Sequence, residues 1–248
     1  ARKTRIGAVI EVGVRPFEIE QGRQRAAYLA IVERRAARPM LDLGLFGRRA
    51  FLGATAAALA NGAGGTALVS YLPTLVQAGL GRSLLVASLL TALFAGTSVA
   101  TALQARRLAA LAPTWVLMAT ALVVLAGAQL ALGGLQAESG VARLVPGLLV
   151  GGVAYGVLNA ALGAAAVSSV PSGRASVGSG ANNTARYLAS AVGVTVVALL
   201  APAVGAGGDE AATAALVGGW STAAGVTAAV SLAGAAAVAL LRPVRGAG

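Results

Sequence analysis

The sequence predicts an all-α integral membrane protein with about six transmembrane helices. Three observations carry this: a very apolar composition, charges bunched between long uncharged stretches, and arginines gathered on one side. The chain is 57% hydrophobic and only 11% charged, with a mean hydropathy of +0.81. A soluble domain carries about 25% charged residues. Uncharged stretches run from Arg49 to Arg82, Arg82 to Arg106, Arg107 to Glu138, Arg143 to Arg174, Arg186 to Asp209 and Glu210 to Arg242. They hold 32, 23, 30, 30, 22 and 31 residues. Each exceeds the roughly 20 residues needed to cross a hydrocarbon core about 30 Å thick.

Taken in order, residues 1–49 form a cytoplasmic arm, with a helical stretch expected from Gly22 to Arg38 and broken at Pro39. Its apolar run, Ala26 to Val32, is too short to span. The six-helix transmembrane domain occupies 50–242, and 243–248 form a short cytoplasmic tail. The first span covers Phe51 to Val76, bent or ended by Pro73, which lacks a backbone donor. The second covers Leu84 to Gln104, the third Thr114 to Leu135, the fourth Leu144 to Ser169, the fifth Asn183 to Val204 and the sixth Leu216 to Leu241. Pro171, Ser172, Gly173 and the stretch Gly205 to Gly208 carry turn chemistry between spans.

With the arm placed inside, the inner segments hold Arg34, Arg35, Arg38, Arg48, Arg49, Arg106, Arg107, Arg174, Arg186, Arg242 and Arg245, and the outer loops hold only Arg82 and Arg143. The positive-inside rule then puts both termini in the cytoplasm, as an even number of spans requires. The net charge of +11 and pI near 11.6 are not read as a nucleic-acid footprint. The arginines sit at span ends rather than on one polar face, and no basic stretch interleaves with aromatics. Cysteine and histidine are both absent. Disulfides, thiolate chemistry, the usual zinc ligand sets and histidine triads are thereby excluded. No cofactor, no metal and no enzymatic activity are expected.

The fourth span contains the pairs Gly147/Gly151 and Gly152/Gly156. Such spacing lets helix backbones approach closely in lipid, and it is read as packing. No carboxylate lies within a span, so no side chain there is suited to carrying protons. The informative deep polar residues are Asn61 near the middle of the first span and Tyr155 and Asn159 near the middle of the fourth. An amide in hydrocarbon needs partners. These three are the candidate substrate pathway, with a simple interhelical hydrogen bond the competing reading. Ser98 and Thr195 are expected to bond their own helix backbone. Gly178-Ser179-Gly180 lacks the third glycine of a dinucleotide fingerprint, and Asn182-Asn183-Thr184 is a sequon on the inner side; neither is retained.

The segment Val170 to Arg186 is the most distinctive. Pro171, Gly173, Gly178 and Gly180 are expected to make a tight turn, with Arg174 and Arg186 fixing it at the inner surface. Asn182, Asn183 and Thr184 are expected to cap the fifth helix. Arg174, Gly178, Gly180, Asn182, Asn183 and Arg186 form the candidate inner-loop motif.

Four segments carry a resemblance. Glu33-Arg34-Arg35-Ala-Ala-Arg38-Pro39-Met-Leu-Asp42-Leu-Gly-Leu-Phe46-Gly-Arg48-Arg49-Ala-Phe51 resembles the stretch before the last six helices of the fourteen-helix drug:proton antiporters. These are the EmrB/QacA-like exporters of the major facilitator superfamily. Pro171-Ser-Gly-Arg174-Ala-Ser-Val-Gly178-Ser-Gly180-Ala-Asn182-Asn183-Thr184-Ala-Arg186-Tyr187 resembles an inner loop of that half. Tyr71-Leu-Pro73-Thr-Leu-Val-Gln77 is similar to the outer end of its first helix, and Arg106-Arg107 to an inner-loop basic motif. The match covers about residues 26 to 242.

The resemblance implies a major-facilitator-type half built as two three-helix inverted repeats, with the first, second, fourth and fifth helices lining a cavity. It implies half of a proton-coupled exporter of drugs or other small organic molecules, often bulky, apolar and cationic, in the cell membrane. The implied partners are the lipid bilayer, a small-molecule substrate, and protons handled by a missing N-terminal half. The family's upstream helices and proton-linked carboxylate are not in this sequence. The chain is therefore expected to be a fragment, one product of a split transporter, or the result of a shifted frame at its start. The alternative is a non-transporting remnant or a regulatory membrane subunit.

Overall fold

A computed structural model of the chain describes residues 43–104, 107, 109–110, 112–136, 139–202 and 210–242. The chain divides into two units, Ala1–Leu43 and Gly44–Gly248. The first lies almost wholly outside the described residues, as does the helix expected from Gly22 to Arg38. The tail 243–248 lies outside them too.

Among the described residues the second unit is all helical, with six helices long and apolar enough to cross a membrane. They are α1 (Arg49–Gly79), α2 (Leu84–Ala102), α3 (Thr114–Ala131), α4 (Leu144–Ser168), α5 (Ala175–Leu200) and α6 (Glu210–Leu240). Short 3₁₀ turns at Leu43–Gly47 and Val141–Arg143 lead into α1 and α4. The connections are tight where the sequence allows it. Gly81 and Gly173 adopt φ of +60° and +85°, which side-chain-bearing residues resist. Ser83 caps α2 by accepting from the Val86 amide.

α1 is not uniform. Arg49–Ala60 is α-helical, Asn61–Thr66 widens to a π-helix, Ala67–Thr74 returns to α, and Leu75–Gly79 is π again. The first widened turn reads Asn-Gly-Ala-Gly-Gly-Thr, and three glycines in six residues weaken the preference for the regular helix. The second follows Pro73, which removes one backbone donor. Pro73 does not end the helix at Val76, because the looser turn absorbs the missing hydrogen bond and carries α1 on to Gly79.

Small residues set the helix neighbours. A Cβ on Gly152 would lie 2.8 Å from the Phe94 carbonyl oxygen, and one on Gly156 would collide with that of Ser98. α4 therefore packs backbone to backbone on α2. Gly147 packs on α3, since a Cβ there would meet Leu132. Both GxxxG pairs of the fourth span are thus packing surfaces. On the other side, a Cβ on Gly62 would collide with the Arg186 carbonyl oxygen, and one on Gly193 would lie 2.6 Å from that of Ala63. α1 and α5 are equally close. Further contacts join α3 to α4, α6 to α1, and α3 to α6.

Exchanging α1 with α4, α2 with α5 and α3 with α6 maps this set of neighbours onto itself. Because successive spans alternate in direction, α1 and α4 run oppositely. The bundle is two three-helix inverted repeats.

The apolar core forms three clusters among the described residues. One contains Leu68, Leu72, Leu144, Leu148, Leu216 and Trp220, a second contains Ala57, Leu122, Leu125, Leu158 and Leu162, and a small third joins Leu45, Phe51 and Val170. The Trp220 indole donates to the Leu132 carbonyl at 2.8 Å and Ser221 accepts from the Gly134 amide at 2.9 Å, tying the end of α3 to α6. α2 and α5 bury the least. Leu84, Leu85, Leu89, Leu103, Leu188, Val192 and Leu199 stand exposed on them, a surface suited to lipid rather than water.

A polar crossing at the middle of three spans

The fifth span begins at Ala175, eight residues before the position expected from sequence. Arg186 is consequently the twelfth of its 26 residues, about 16 Å along the helix at 1.5 Å per residue. It lies inside the helix rather than in a loop, near the middle of α5 by residue count, as Asn61 does in α1 and Tyr155 and Asn159 do in α4. Asn182 and Asn183 likewise sit inside the helix rather than capping it. The turn is confined to Pro171–Arg174, closed by the Arg174 amide donating to the Pro171 carbonyl at 3.1 Å. Gly178 is a packing residue, since a Cβ would collide with the Ala166 backbone oxygen of α4, whereas Gly180 faces open space.

Asn159 is the hub. Its Nδ2 donates to the Tyr155 carbonyl at 2.9 Å, one turn back on its own helix. Its Oδ1 accepts from Arg186 Nη1 at 3.0 Å and from Asn61 Nδ2 at 3.3 Å. This orientation is forced. A guanidinium only donates, so Asn159 must offer its oxygen, and Asn61 must then offer its amide nitrogen.

Thr66 extends the chain of contacts. Its hydroxyl donates to the Asn61 carbonyl at 3.2 Å, so its proton is used. At the 2.9 Å contact with Tyr155, the phenol is then the donor. The π-turn of α1 brings Asn61 and Thr66, five residues apart, into this one cluster. Arg186 Nη2 also donates to Asn183 Oδ1 at 3.3 Å and to the Tyr187 hydroxyl at 3.2 Å. The guanidinium carbon sits 4.9 Å from the centre of the Tyr187 ring, within cation–π range.

The network runs from a dry interior to an open face. Asn61 is 0% exposed, while Tyr155, Asn159 and Arg186 are half-buried and Tyr187 is 63% exposed. Asn61 therefore supports the surface from behind. Its side-chain oxygen lies close to Gly65 of the same widened turn, 3.3 Å from where a Cβ there would sit.

Five buried side-chain atoms lack a hydrogen-bond partner among the described residues. Three of them, Asn61 Oδ1, Asn182 Oδ1 and Arg186 Nε, belong to this crossing. Buried polar groups are nearly always satisfied, so unused capacity is concentrated here.

A second buried cluster lies nearby. Ser231 donates to Gln129 Oε1 at 2.9 Å, and a Cβ on Gly64 would lie 2.7 Å from the Ser231 hydroxyl. Gln129 was legible in the third span as an amide in hydrocarbon but was not singled out. Thr66 was hidden among the many Ser and Thr residues that bond their own helix, as Thr195 does to Ala191 at 2.9 Å. A groove of about 530 Å³ between α1, α5 and α6 is apolar and lies on another side of α5. It is lined by Leu59, Ala63, Leu188 and Val192 and contributes nothing polar to the crossing.

An inverted-repeat bundle of six membrane helices with a polar crossing at mid-span defines a multi-pass membrane protein of the transporter type. Comparison with family models gives its membership. The Major Facilitator Superfamily model matches residues 8–194, and the chain belongs to that superfamily of membrane transporters. No curated protein matches the chain.

Proposed function

We propose that the chain is half of a proton-coupled exporter of small organic molecules, similar to the EmrB/QacA-like antiporters. In this reading it works with a second six-helix half that supplies the proton-carrying carboxylate. Residues 1–49 are its cytoplasmic arm, 50–242 its transmembrane domain and 243–248 a cytoplasmic tail. The inner-loop motif spans the turn at Arg174 and the first turns of α5. The chain sits in the cell membrane with both ends in the cytoplasm. The arginine asymmetry supports that orientation even with Arg186 removed from the inner count.

The observation that carries the reading is the crossing of α1, α4 and α5. Intramembrane ionisable and amide side chains are costly to insert and mark substrate paths. Here they sit at the junction of the two inverted repeats, where transporters place their sites. Tyr155, Asn159 and Arg186 form the wall of the path, and Asn61 holds Asn159 in place. Proton coupling is assigned to the other half because the six spans contain no histidine and no carboxylate beyond Glu210 at the very start of α6.

In the complete transporter, Asn159→Leu should change resistance to at least one exported compound by about two- to tenfold, the equivalent of one hydrogen bond, with expression little altered. Asn61→Leu should act in the same direction through Asn159. Unchanged resistance profiles for both, together with an altered profile for Ser98→Ala, would remove the crossing from the substrate path.

A further inference from the structure

We propose that the polar crossing receives an organic anion and that Arg186 is the group that recognises it. This inference rests on the crossing being the substrate path, and it replaces the bulky cation that the family resemblance suggests. The argument begins with charge. A guanidinium stays protonated in any protein environment. Arg186 holds one near mid-span, where a charge is tolerated only with partners or water. Its partners here are Asn159 Oδ1, Asn183 Oδ1 and the Tyr187 hydroxyl. All three are neutral. Glu210 is the only acidic side chain among the described residues, and it opens α6 at a span end. Among the described residues the crossing therefore carries one positive charge with no acidic partner. A cationic ligand would add a second, which is the opposite of recognition.

Unused hydrogen-bond capacity narrows the ligand further. Arg186 Nε is buried and without a partner. A donor on a guanidinium edge suits a carboxylate, which accepts two parallel bonds from such a group. Asn182 Oδ1, one turn earlier on α5, is an acceptor without a partner and suits a hydroxyl or N–H on the same ligand. Tyr155 and Tyr187 supply an aromatic wall. Tyr187 stands beside the guanidinium, and the buried Phe94 backs Tyr155 at 5.3 Å centre to centre. The ligand class that meets these groups is an aromatic or apolar carboxylate bearing a hydrogen-bond donor.

The chain has no cysteine, so a single Asn183→Cys variant reports on the site. It is labelled in membrane vesicles with a neutral thiol reagent, in the presence of benzoate or of benzylammonium, which has similar size and opposite charge. The expected result is labelling that benzoate slows saturably and benzylammonium does not. Arg186→Gln should weaken benzoate protection by about tenfold or more, as removal of a charge-assisted bond predicts. Arg186→Lys, which keeps the charge, should retain part of it, and Arg82→Gln on the outer loop should leave it unchanged.

Absence of labelling by the neutral reagent would mean that the crossing is closed to water, and it would overturn the substrate path and the anion together. Labelling that benzoate does not slow, that benzylammonium slows equally, or that keeps its benzoate protection in Arg186→Gln would overturn the anion and leave the path standing.

Discussion

Asn159 accepts two hydrogen bonds on one oxygen and donates one to its own helix, so three partners depend on a single side chain. Truncating it removes the acceptor of Arg186 Nη1 and of the Asn61 amide, while Arg186 Nη2 keeps Asn183 and Tyr187, and an unpaired buried group costs about 1–3 kcal/mol. Asn61 differs. Its side chain makes one hydrogen bond, and its own oxygen is already without a partner. Thermal unfolding in detergent should therefore show Asn159→Ala losing about 1–3 kcal/mol and Asn61→Ala clearly less. Equal losses would mean that Asn61 is not the junior member of the pair. Arg186 is tolerated at its depth because three hydrogen bonds and an aromatic face surround it. Inserting an arginine at mid-span costs roughly 3 kcal/mol or more, comparable to what two charge-assisted bonds return.

At the scale of elements, glycine decides which helices touch. Gly62 lets α1 lie against the backbone of Arg186, and it does so within the widened turn that also presents Asn61 and Thr66. Gly62→Val should push α5 away, costing about 1–3 kcal/mol as overpacking does, and should break the Arg186–Asn159 contact. Gly180→Ala, in open space on α5, should instead be neutral or stabilising by about 0.5–1 kcal/mol. A melting-temperature comparison of the two variants checks this, and a harmless Gly62→Val would contradict the close approach of α1 and α5.

Most of the fold could be read from the chain because long uncharged stretches mark spans whatever their partners. The start of α5 could not, because the rule that marks spans treats every arginine as a border. Arg186 was placed at the membrane surface for that reason, and Asn182 and Asn183 were read as caps. The signal that would have corrected this is periodic. Ser179, Asn182, Asn183, Arg186 and Ser190 recur at three- and four-residue spacing, as one polar stripe of a helix does. The pairing of Asn61 with Asn159 was legible as a need for partners. The π-turn that brings Thr66 beside Asn61 was not, since its three glycines read equally well as packing.

At the scale of the molecule, orientation and coupling follow from where charge sits. One end of the bundle gathers Arg48, Arg49, Arg174 and Arg242, and the other holds Arg82 and Arg143. The proposed orientation puts the first end in the cytoplasm. A Ser172→Cys variant, in the turn before α5, should therefore resist an impermeant reagent applied outside intact cells and react in inverted vesicles. Labelling from outside would reverse the topology.

In the proposed reading the two inverted repeats provide the pivot on which such transporters alternate, and the crossing is the path. The crossing holds no carboxylate and no histidine among the described residues, the side chains that usually carry protons within membrane spans. The most direct test is proton flux in liposomes holding the purified chain, read with an internal pH-sensitive dye while candidate organic anions and cations are added. The account predicts no substrate-dependent flux from the chain alone and flux sensitive to Asn159→Leu once a second, carboxylate-bearing half is co-reconstituted. Robust substrate-dependent flux from the chain by itself would contradict it.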